Sequence, residues 1–167
     1  MPATLSSEAN QQGLVDYLVS KHALSTETAT EILQESATSG RTPDDLILAK
    51  NLINSEDYTR LKADFFHFAY VDLTDKAIDE QTINFIPLSI SEHYKIIAFE
   101  KVDNKLKIGL VDATNFKAIE AIDFLAKKSK LTTEYYLISP YSFNAAFSQY
   151  KSFNKEIQSA LATKVQE

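Results

Sequence analysis

The sequence of 167 residues contains no cysteine and no tryptophan, and only three of its residues are glycine. Without cysteine the chain can form no disulfide, no thiolate metal site and no cysteine nucleophile. Gly13, Gly40 and Gly109 lie far apart, whereas a phosphate-binding loop needs several neighbouring glycines so that backbone N–H groups can approach the phosphates. The sequence therefore contains neither a P-loop nor a dinucleotide-binding fingerprint.

Cations and long apolar runs are also scarce. The chain has 17 Lys and Arg against 23 Asp and Glu, a formal net charge of −6. Electrostatic binding to DNA, RNA or anionic lipid needs surplus cations, so we expect no nucleic acid partner. No apolar run approaches the ~18 residues of a spanning helix, and the first thirty residues contain no secretion signal. These absences allow a cytoplasmic protein, and we expect no direct membrane insertion.

Apolar residues make up 44% of the chain, enough for a buried core, and their pattern over residues 1–69 is helical. Short apolar segments alternate with Ser25, Thr42 and Asn54, each followed by an acidic first turn or by proline. Such residues are typical of helix N-termini. Residues 1–69, which hold ten acids against five bases, are therefore predicted to form an acidic helical lobe.

The helical lobe contains an internal repeat. A shift of 29 residues superposes Leu18-Val19-Ser20-Lys21 on Ile47-Leu48-Ala49-Lys50, and Leu24-Ser25 on Ile53-Asn54. Chance similarity between capped helices is the alternative, but apolar, capping and charged positions match together. We interpret the lobe as two 29-residue helix-turn-helix units that arose by duplication.

Residues 70–153 show a different pattern, in which β-prone segments alternate with capped helices. Ile96–Val102 and Leu106–Val111 flank the tight polar turn Asp103-Asn104, which predicts a hairpin. The pattern predicts a small, mainly antiparallel sheet covered by helices, and hence an α+β fold class for the chain. The polar residues 154–167 are interpreted as the start of a linker.

The residue types that carry out chemistry do not form a recognisable site. The three histidines are not spaced as metal ligands, the adjacent acids lie at predicted helix starts where they stabilise the helix dipole, and the aromatic pairs are expected in the core. The residues weighed in this way are His22, His67, His93, Asp44-Asp45, Asp79-Glu80, Phe65-Phe66 and Tyr135-Tyr136. The basic run Lys127, Lys128 and Lys130 lies at a predicted helix C-terminus, where cations are favourable, and an anion site is the alternative. We assign no catalytic, cofactor-binding or metal-binding residue, and we expect this chain not to be an enzyme.

A DNA-binding helix-turn-helix is the alternative interpretation of the repeated helices. One candidate recognition helix, Thr26–Thr38, contains Glu27, Glu31 and Glu35 and no base, and the other, Ser55–His67, has two bases against three acids. Repulsion from the DNA phosphates argues against both helices.

The order of several short segments resembles a known family. Four stretches are similar to the family patterns "LLVEKGLISEED", "LPYVDL", "LKLIP" and "LKVAMADPTN" and follow one another in the same order, and the resemblance as a whole covers the chain from about Leu14 to Tyr150. In this chain they are Leu46–Asp57, Phe68–Leu73, Ile83–Pro87 and Leu106–Asn115. The pattern is that of the N-terminal domain of the assembly ATPases of type IV pilus and type II secretion systems.

The resemblance implies a non-catalytic interaction or regulatory domain. In this family the domain precedes a P-loop ATPase and docks on cytoplasmic parts of the inner-membrane platform. The partners implied are those platform proteins and a downstream ATPase domain, and the implied location is cytoplasmic, peripheral to the inner membrane through partners. The parent protein would be an ATPase if the reading frame continues past Glu167.

Some members of the family bind cyclic di-GMP through two tandem helical units, each opening with Arg-Leu-Gly and closing with Gln. In this chain the opening triplets fall on Gly13-Leu14-Val15 and Thr42-Pro43-Asp44, and the closing positions fall on Ser36 and Phe65. Only Leu14 matches, and it is apolar.

These departures lead us to expect that cyclic di-GMP does not bind. Arg41 is one position out of register, and Asp44 is expected to place a carboxylate where a phosphate should approach. A cyclic-di-GMP-sensing domain with a diverged site is therefore the alternative function, behind the docking domain.

Overall fold

The computed structural model describes residues 7–165. Residues 1–6 and 166–167, which the sequence assigns to the helical lobe and to the linker, lie outside the described residues. The chain divides into two compact units, Met1–Phe65 and Phe66–Glu167. The described residues are mixed α+β, so the predicted fold class is confirmed.

Within residues 7–65 the first unit contains four helices, and polar side chains cap the starts of the last three. Ser25 Oγ accepts from Thr28 N–H at 3.1 Å, Thr42 Oγ1 accepts from Asp45 N–H at 3.1 Å, and Asn54 Oδ1 accepts from Glu56 N–H at 3.0 Å. These bonds satisfy N–H groups that a helix leaves unpaired at its N-terminus. The helices are α1 Ser7–Ser20, α2 Thr26–Ser39, α3 Pro43–Ala49 and α4 Ser55–Phe66.

Backbone hydrogen bonds in this unit recur at the spacing of 29 residues. The turn after α1 contains the bonds from Lys21, His22 and Ala23 N–H to the carbonyls of Tyr17, Val19 and Leu18. The turn after α3 contains the same three bonds, from Lys50, Asn51 and Leu52 to Leu46, Leu48 and Ile47. His22 and Asn51, which correspond in the repeat, both have a left-handed backbone, with φ of 59° and 51°.

The second unit contains a sheet and helices. Asp79 Oδ2 accepts from Thr82 N–H and Asn115 Oδ1 accepts from Ala118 N–H, so each caps the helix that follows it. Its elements are β1 Ala69–Tyr70, α5 Glu80–Ile83, α6 Leu88–Tyr94, β2 Ile96–Val102, β3 Lys105–Leu110, α7 Phe116–Lys128, β4 Thr132–Leu137 and α8 Pro140–Val165.

The strand directions differ from the prediction of a mainly antiparallel sheet. In the described part of the chain the strand order is β1-β4-β3-β2, in which β2 and β3 pair antiparallel, while β4 pairs parallel with both β1 and β3. The tight turn at Asp103-Asn104 reverses the chain between β2 and β3. By contrast, β3 and β4 are joined through α7, and a helical crossover brings the chain back in its original direction. The sheet is therefore mixed.

Helices pack on both faces of β4. Because neighbouring side chains of a strand point to opposite faces, adjacent residues of β4 contact different helices. Tyr135 contacts α7, whereas Tyr136 packs against a buried cluster that includes Phe143 and Phe147 of α8. The cluster also contains Leu73, Ile78, Ile83, Ile97, Phe99, Ile138, Ala146 and Tyr150. Helix α8 is longer than the predicted helix and continues to Val165, through residues that the sequence assigns to a linker.

Candidate functional site

A groove of about 490 Å³ lies in the helical unit, between α1, α2 and the start of α3. Gly40 ends α2 with a left-handed backbone, φ 74°, and Thr42 caps α3 only two residues later. This short turn brings Arg41 to the edge of the groove. The lining residues are Gln11, Gln12, Leu33, Ser36, Ala37, Gly40, Arg41, Thr42 and Pro43.

Hydrogen bonds fix the turn that carries Arg41. Ser36 Oγ donates to the Arg41 carbonyl at 2.7 Å, and Arg41 N–H donates to Ser39 Oγ at 3.2 Å. The Arg41 residue is exposed, and it is the only charged residue among the described residues that line the groove. The groove therefore holds one cationic residue, Arg41, beside Gln11 and Gln12, and the Gln12 amide donates to Asp16 Oδ1 at 3.1 Å. An arginine beside a glutamine suits an anionic, polar ligand.

Asp44 does not line this groove, because its carboxylate is bound on α4. Tyr58 Oη donates to Asp44 Oδ1 at 2.7 Å, and Lys62 Nζ lies 2.8 Å from the same oxygen. Burial, and then the charge of Asp44, raises the pKa of Tyr58 well above its ordinary value. Tyr58 therefore remains a donor, and Lys62 neutralises the carboxylate.

A second polar cluster lies on the sheet and consists of ion pairs. Glu100 is 2.7 Å from Lys107 and 3.2 Å from Lys76, and Glu134 is 3.3 Å from Lys105. The hydrogen bond from Lys107, followed by that from Lys76, lowers the pKa of Glu100 below its ordinary value. The pairs Glu100–Lys107 and Glu134–Lys105 join neighbouring strands, and Lys76 reaches Glu100 from the segment between β1 and α5. Each carboxylate therefore has a lysine partner, which favours a structural role.

The histidines occupy separate places. His22 and His67 follow the ends of α1 and α4 with left-handed backbones, φ 59° and 61°. His93 lies in the last turn of α6, and the centres of the His93 and Tyr94 rings are 4.7 Å apart. Among residues 7–165, no group of three or more His, Asp or Glu side chains is arranged to hold a metal ion.

The other residues singled out in the sequence are also spread over the fold. Asp79 Oδ2 accepts from Thr82 N–H at 3.2 Å and caps α5. The centres of the Phe65 and Tyr17 rings are 5.5 Å apart. Tyr135 and Tyr136 face opposite sides of the sheet. Tyr135 and Tyr136 therefore form no joint stacking platform.

Sequence reasoning missed the outer face of α7. Phe116 is 62% exposed and Phe124 is 59% exposed, whereas Ile122 of the same helix is buried. Lys127 and Lys128 lie in the last turn of the same helix, and Lys130 follows it. The alternation of exposed aromatic and basic residues is the signal that could have revealed this face.

None of the helices within residues 7–165 combines the length and the apolar character needed to span a membrane.

Comparisons with known proteins identify the domain. The MshEN domain profile matches residues 66–157. A solved structure of MshE with cyclic di-GMP has a TM-score of 0.70 at 17% identity, over 82% of this chain and 97% of that chain. The N-terminal domain of XpsE has a TM-score of 0.63 at 15% identity, over 83% of this chain and 94% of that one. A search of the curated proteins finds no significant match.

The expectation that excludes cyclic di-GMP is contradicted. MshE, which shares the fold of this chain, was solved with that dinucleotide. The physical argument also fails at one step, because Asp44 is neutralised by Lys62 and does not line the groove. A carboxylate in this position does not by itself repel a phosphate.

The MshEN domain is not itself catalytic. The profile match covers more than half of the chain and includes nearly all of the second unit, and the two solved structures share its fold. The family predicted from the ordered segments is thereby confirmed. This chain belongs to the MshEN domain family, the N-terminal domains of type IV pilus and type II secretion assembly ATPases.

Proposed function

We propose that this chain is a docking domain, which attaches an assembly ATPase to the cytoplasmic parts of the inner-membrane platform. The observation that carries the proposal is membership of the MshEN family. In this proposal the chain acts in the cytoplasm and reaches the inner membrane through its partners. It thereby links a downstream ATPase domain to the platform.

Co-elution with the cytoplasmic segment of the platform protein tests the docking role. We expect the 167-residue chain and that segment to elute together in size-exclusion chromatography, earlier than either protein alone. Separate elution over the whole accessible concentration range would contradict the proposal. A platform segment with a scrambled sequence of the same composition controls for unspecific association.

A second candidate function, cyclic di-GMP binding, is favoured by the groove at Arg41. The groove lies at Ser36 and Thr42, the positions where the resemblance places a closing and an opening residue of the ligand-binding units. Arg41 is exposed there, and the carboxylate of Asp44 is held by Tyr58 and Lys62 instead. These contacts support an anion-compatible groove, although the family's Arg and Gln are absent.

Calorimetric titration with cyclic di-GMP tests the second function. If the groove binds the dinucleotide, Arg41→Ala should weaken binding about tenfold or more, because a hydrogen bond to a charged group contributes about 1.5–3 kcal/mol. Arg60→Ala is the matched control, since Arg60 lies on α4 beside Asp57 and does not line the groove. No heat of binding, or an equal loss in both variants, would reject the groove as the site.

A further inference from the structure

The outward face of α7 carries two exposed phenylalanines. Phe116 and Phe124 are 62% and 59% exposed, and they are separated by two helical turns, about 12 Å along the axis. Large exposed apolar side chains that share one face are typical of interaction surfaces. In the following paragraphs this face, with Lys117, Glu120, Lys127, Lys128 and the adjoining Lys130, is called the α7 patch.

The orientation of α7 is fixed from its inner side. Ala118, Ile122 and Ala126 are buried against the sheet. Thr133 Oγ1 donates to Asp123 Oδ1 at 2.6 Å, and Tyr135 Oη donates to the same oxygen at 2.6 Å. Burial, and then Asp123, raises the pKa of Tyr135 far above its ordinary value, so this hydroxyl remains a donor. The helix therefore cannot turn its phenylalanines inward without breaking these contacts.

Anchoring Asp123 inward also leaves the α7 patch basic. The patch holds four lysines and one glutamate in a chain whose net charge is −6. Lys128 Nζ lies 4.7 Å from the centre of the Phe124 ring, so an apolar and a cationic group are in contact at this end of the patch. Such a surface complements apolar side chains that are flanked by carboxylates.

Two other occupants fit the α7 patch less well. A second copy would place lysines against lysines if two patches met. The acidic first unit offers no match either, since all the large exposed apolar side chains among the described residues lie in the second unit. An anionic membrane would be repelled by the net charge of the chain, and Glu120 lies between the two phenylalanines on the helix face.

We propose that the α7 patch is the contact face for a protein partner, and that it binds an acidic segment with apolar anchors. This inference rests on the docking role and adds the face and the chemistry of the partner. Charge complementarity steers the encounter and fixes the orientation of the bound segment, while the exposed phenylalanines supply the contacts that hold it.

Nuclear magnetic resonance titration of the isotope-labelled 167-residue chain tests the α7 patch. The probe is a designed acidic amphipathic peptide with Leu and Phe on one face, and its charge-reversed counterpart, with Lys in place of Glu, is the control. We expect saturable shifts confined to α7 and the residues that adjoin it, for the acidic peptide only. No shifts, shifts elsewhere, or equal shifts with the basic peptide would overturn the inference.

Variants separate apolar contact from charge. Phe124→Ala should weaken binding of the acidic peptide about tenfold, as expected for an aromatic anchor. The double change Lys127→Gln and Lys128→Gln should reduce the salt dependence of binding, because it removes two of the four lysines of the patch. Tyr141→Ala is the matched control, because Tyr141 is 70% exposed but lies on α8. If Tyr141→Ala weakens binding as much as Phe124→Ala, the assignment to α7 is wrong.

The remaining measurements distinguish this inference from the docking role. If the platform segment binds the chain but shifts residues outside α7, the docking role stands and the α7 patch is rejected. If the platform segment fails to bind while the acidic peptide binds at α7, the docking role fails and the patch remains. Binding to phosphatidylglycerol vesicles, or concentration-dependent self-association, that Phe124→Ala abolishes would assign the patch to lipid or to a second copy, and would overturn the protein-partner inference.

Discussion

Asp44 shows why single residues were harder to interpret than the helices that carry them. Thr42 could be recognised as a cap because its hydrogen-bond partner, Asp45 N–H, lies three residues away. The partners of Asp44 are Tyr58 and Lys62, which lie 14 and 18 residues away and become neighbours only when α3 and α4 pack. The sequence therefore predicted a free carboxylate where the structure has a paired one.

Removing the hydroxyl of Tyr58 should destabilise the first unit. The Tyr58 residue is only 1% exposed, and its hydroxyl donates to Asp44 at 2.7 Å. A hydrogen bond to a charged group contributes about 1.5–3 kcal/mol, so Tyr58→Phe should lower the free energy of unfolding by about that amount. Urea denaturation measures the change. Tyr141→Phe, at an exposed site, is the control, and equal stability of the two variants would contradict the proposed role of the Tyr58 bond.

The ion pairs of Glu100 predict a dependence of stability on pH. Lys107 and then Lys76 lower the folded-state pKa of Glu100 below its ordinary 4.5. Its stabilising contribution is therefore fully present above about pH 4.5 and is lost as the pH falls through the lower folded-state pKa. Glu100→Gln should lower stability at neutral pH and reduce the loss of stability on acidification.

Denaturant titrations over a series of pH values check this prediction, with Glu92→Gln, an exposed acid on α6, as the control. If the difference in the free energy of unfolding between wild type and Glu100→Gln stays constant from neutral to acidic pH, the ion pairs do not contribute as described.

At the scale of elements, helix caps and strand segments could be predicted, but strand directions could not. The hairpin at Asp103-Asn104 is a local feature, and its two strands lie where the sequence places them. The pairing of β4 with β1 and β3 joins residues far apart in the sequence, and no local pattern determines which strands become neighbours. Helix α8 extends beyond its predicted end because its polar C-terminal residues keep helical spacing without a breaker.

The single glycine of β3 predicts a tight contact across the sheet. A Cβ added at Gly109 would lie 3.0 Å from both Cδ1 and Cγ2 of Ile138, closer than ordinary van der Waals contact. Overpacking of a buried site typically costs about 1–3 kcal/mol, so Gly109→Ala should lower the free energy of unfolding by that amount.

A double-mutant cycle checks the cause of that loss. Ile138→Val removes Cδ1, so its effect combined with Gly109→Ala should be smaller than the sum of the two single effects. Additive effects, measured by urea denaturation, would show that the close approach to Ile138 is not the reason for the glycine.

For the whole molecule, the family could be predicted from ordered short segments, whereas the candidate site could not be built from them. The segments Phe68–Leu73 and Leu106–Asn115 lie within the region that the MshEN profile matches. The groove at Arg41 depends on how α1, α2 and α3 pack, and the exposure of Phe124 depends on which side of α7 meets the sheet. Both are tertiary properties, and sequence spacing alone does not determine them.

The central claim, a docking domain, is tested most directly by isothermal titration of the 167-residue chain with the cytoplasmic segment of the platform protein. The account predicts saturable binding with a defined stoichiometry, retained in Tyr141→Ala and weakened about tenfold in Phe124→Ala. Absence of any saturable heat at concentrations up to about 1 mM, where a free energy of only about −4 kcal/mol would be detected, would contradict it.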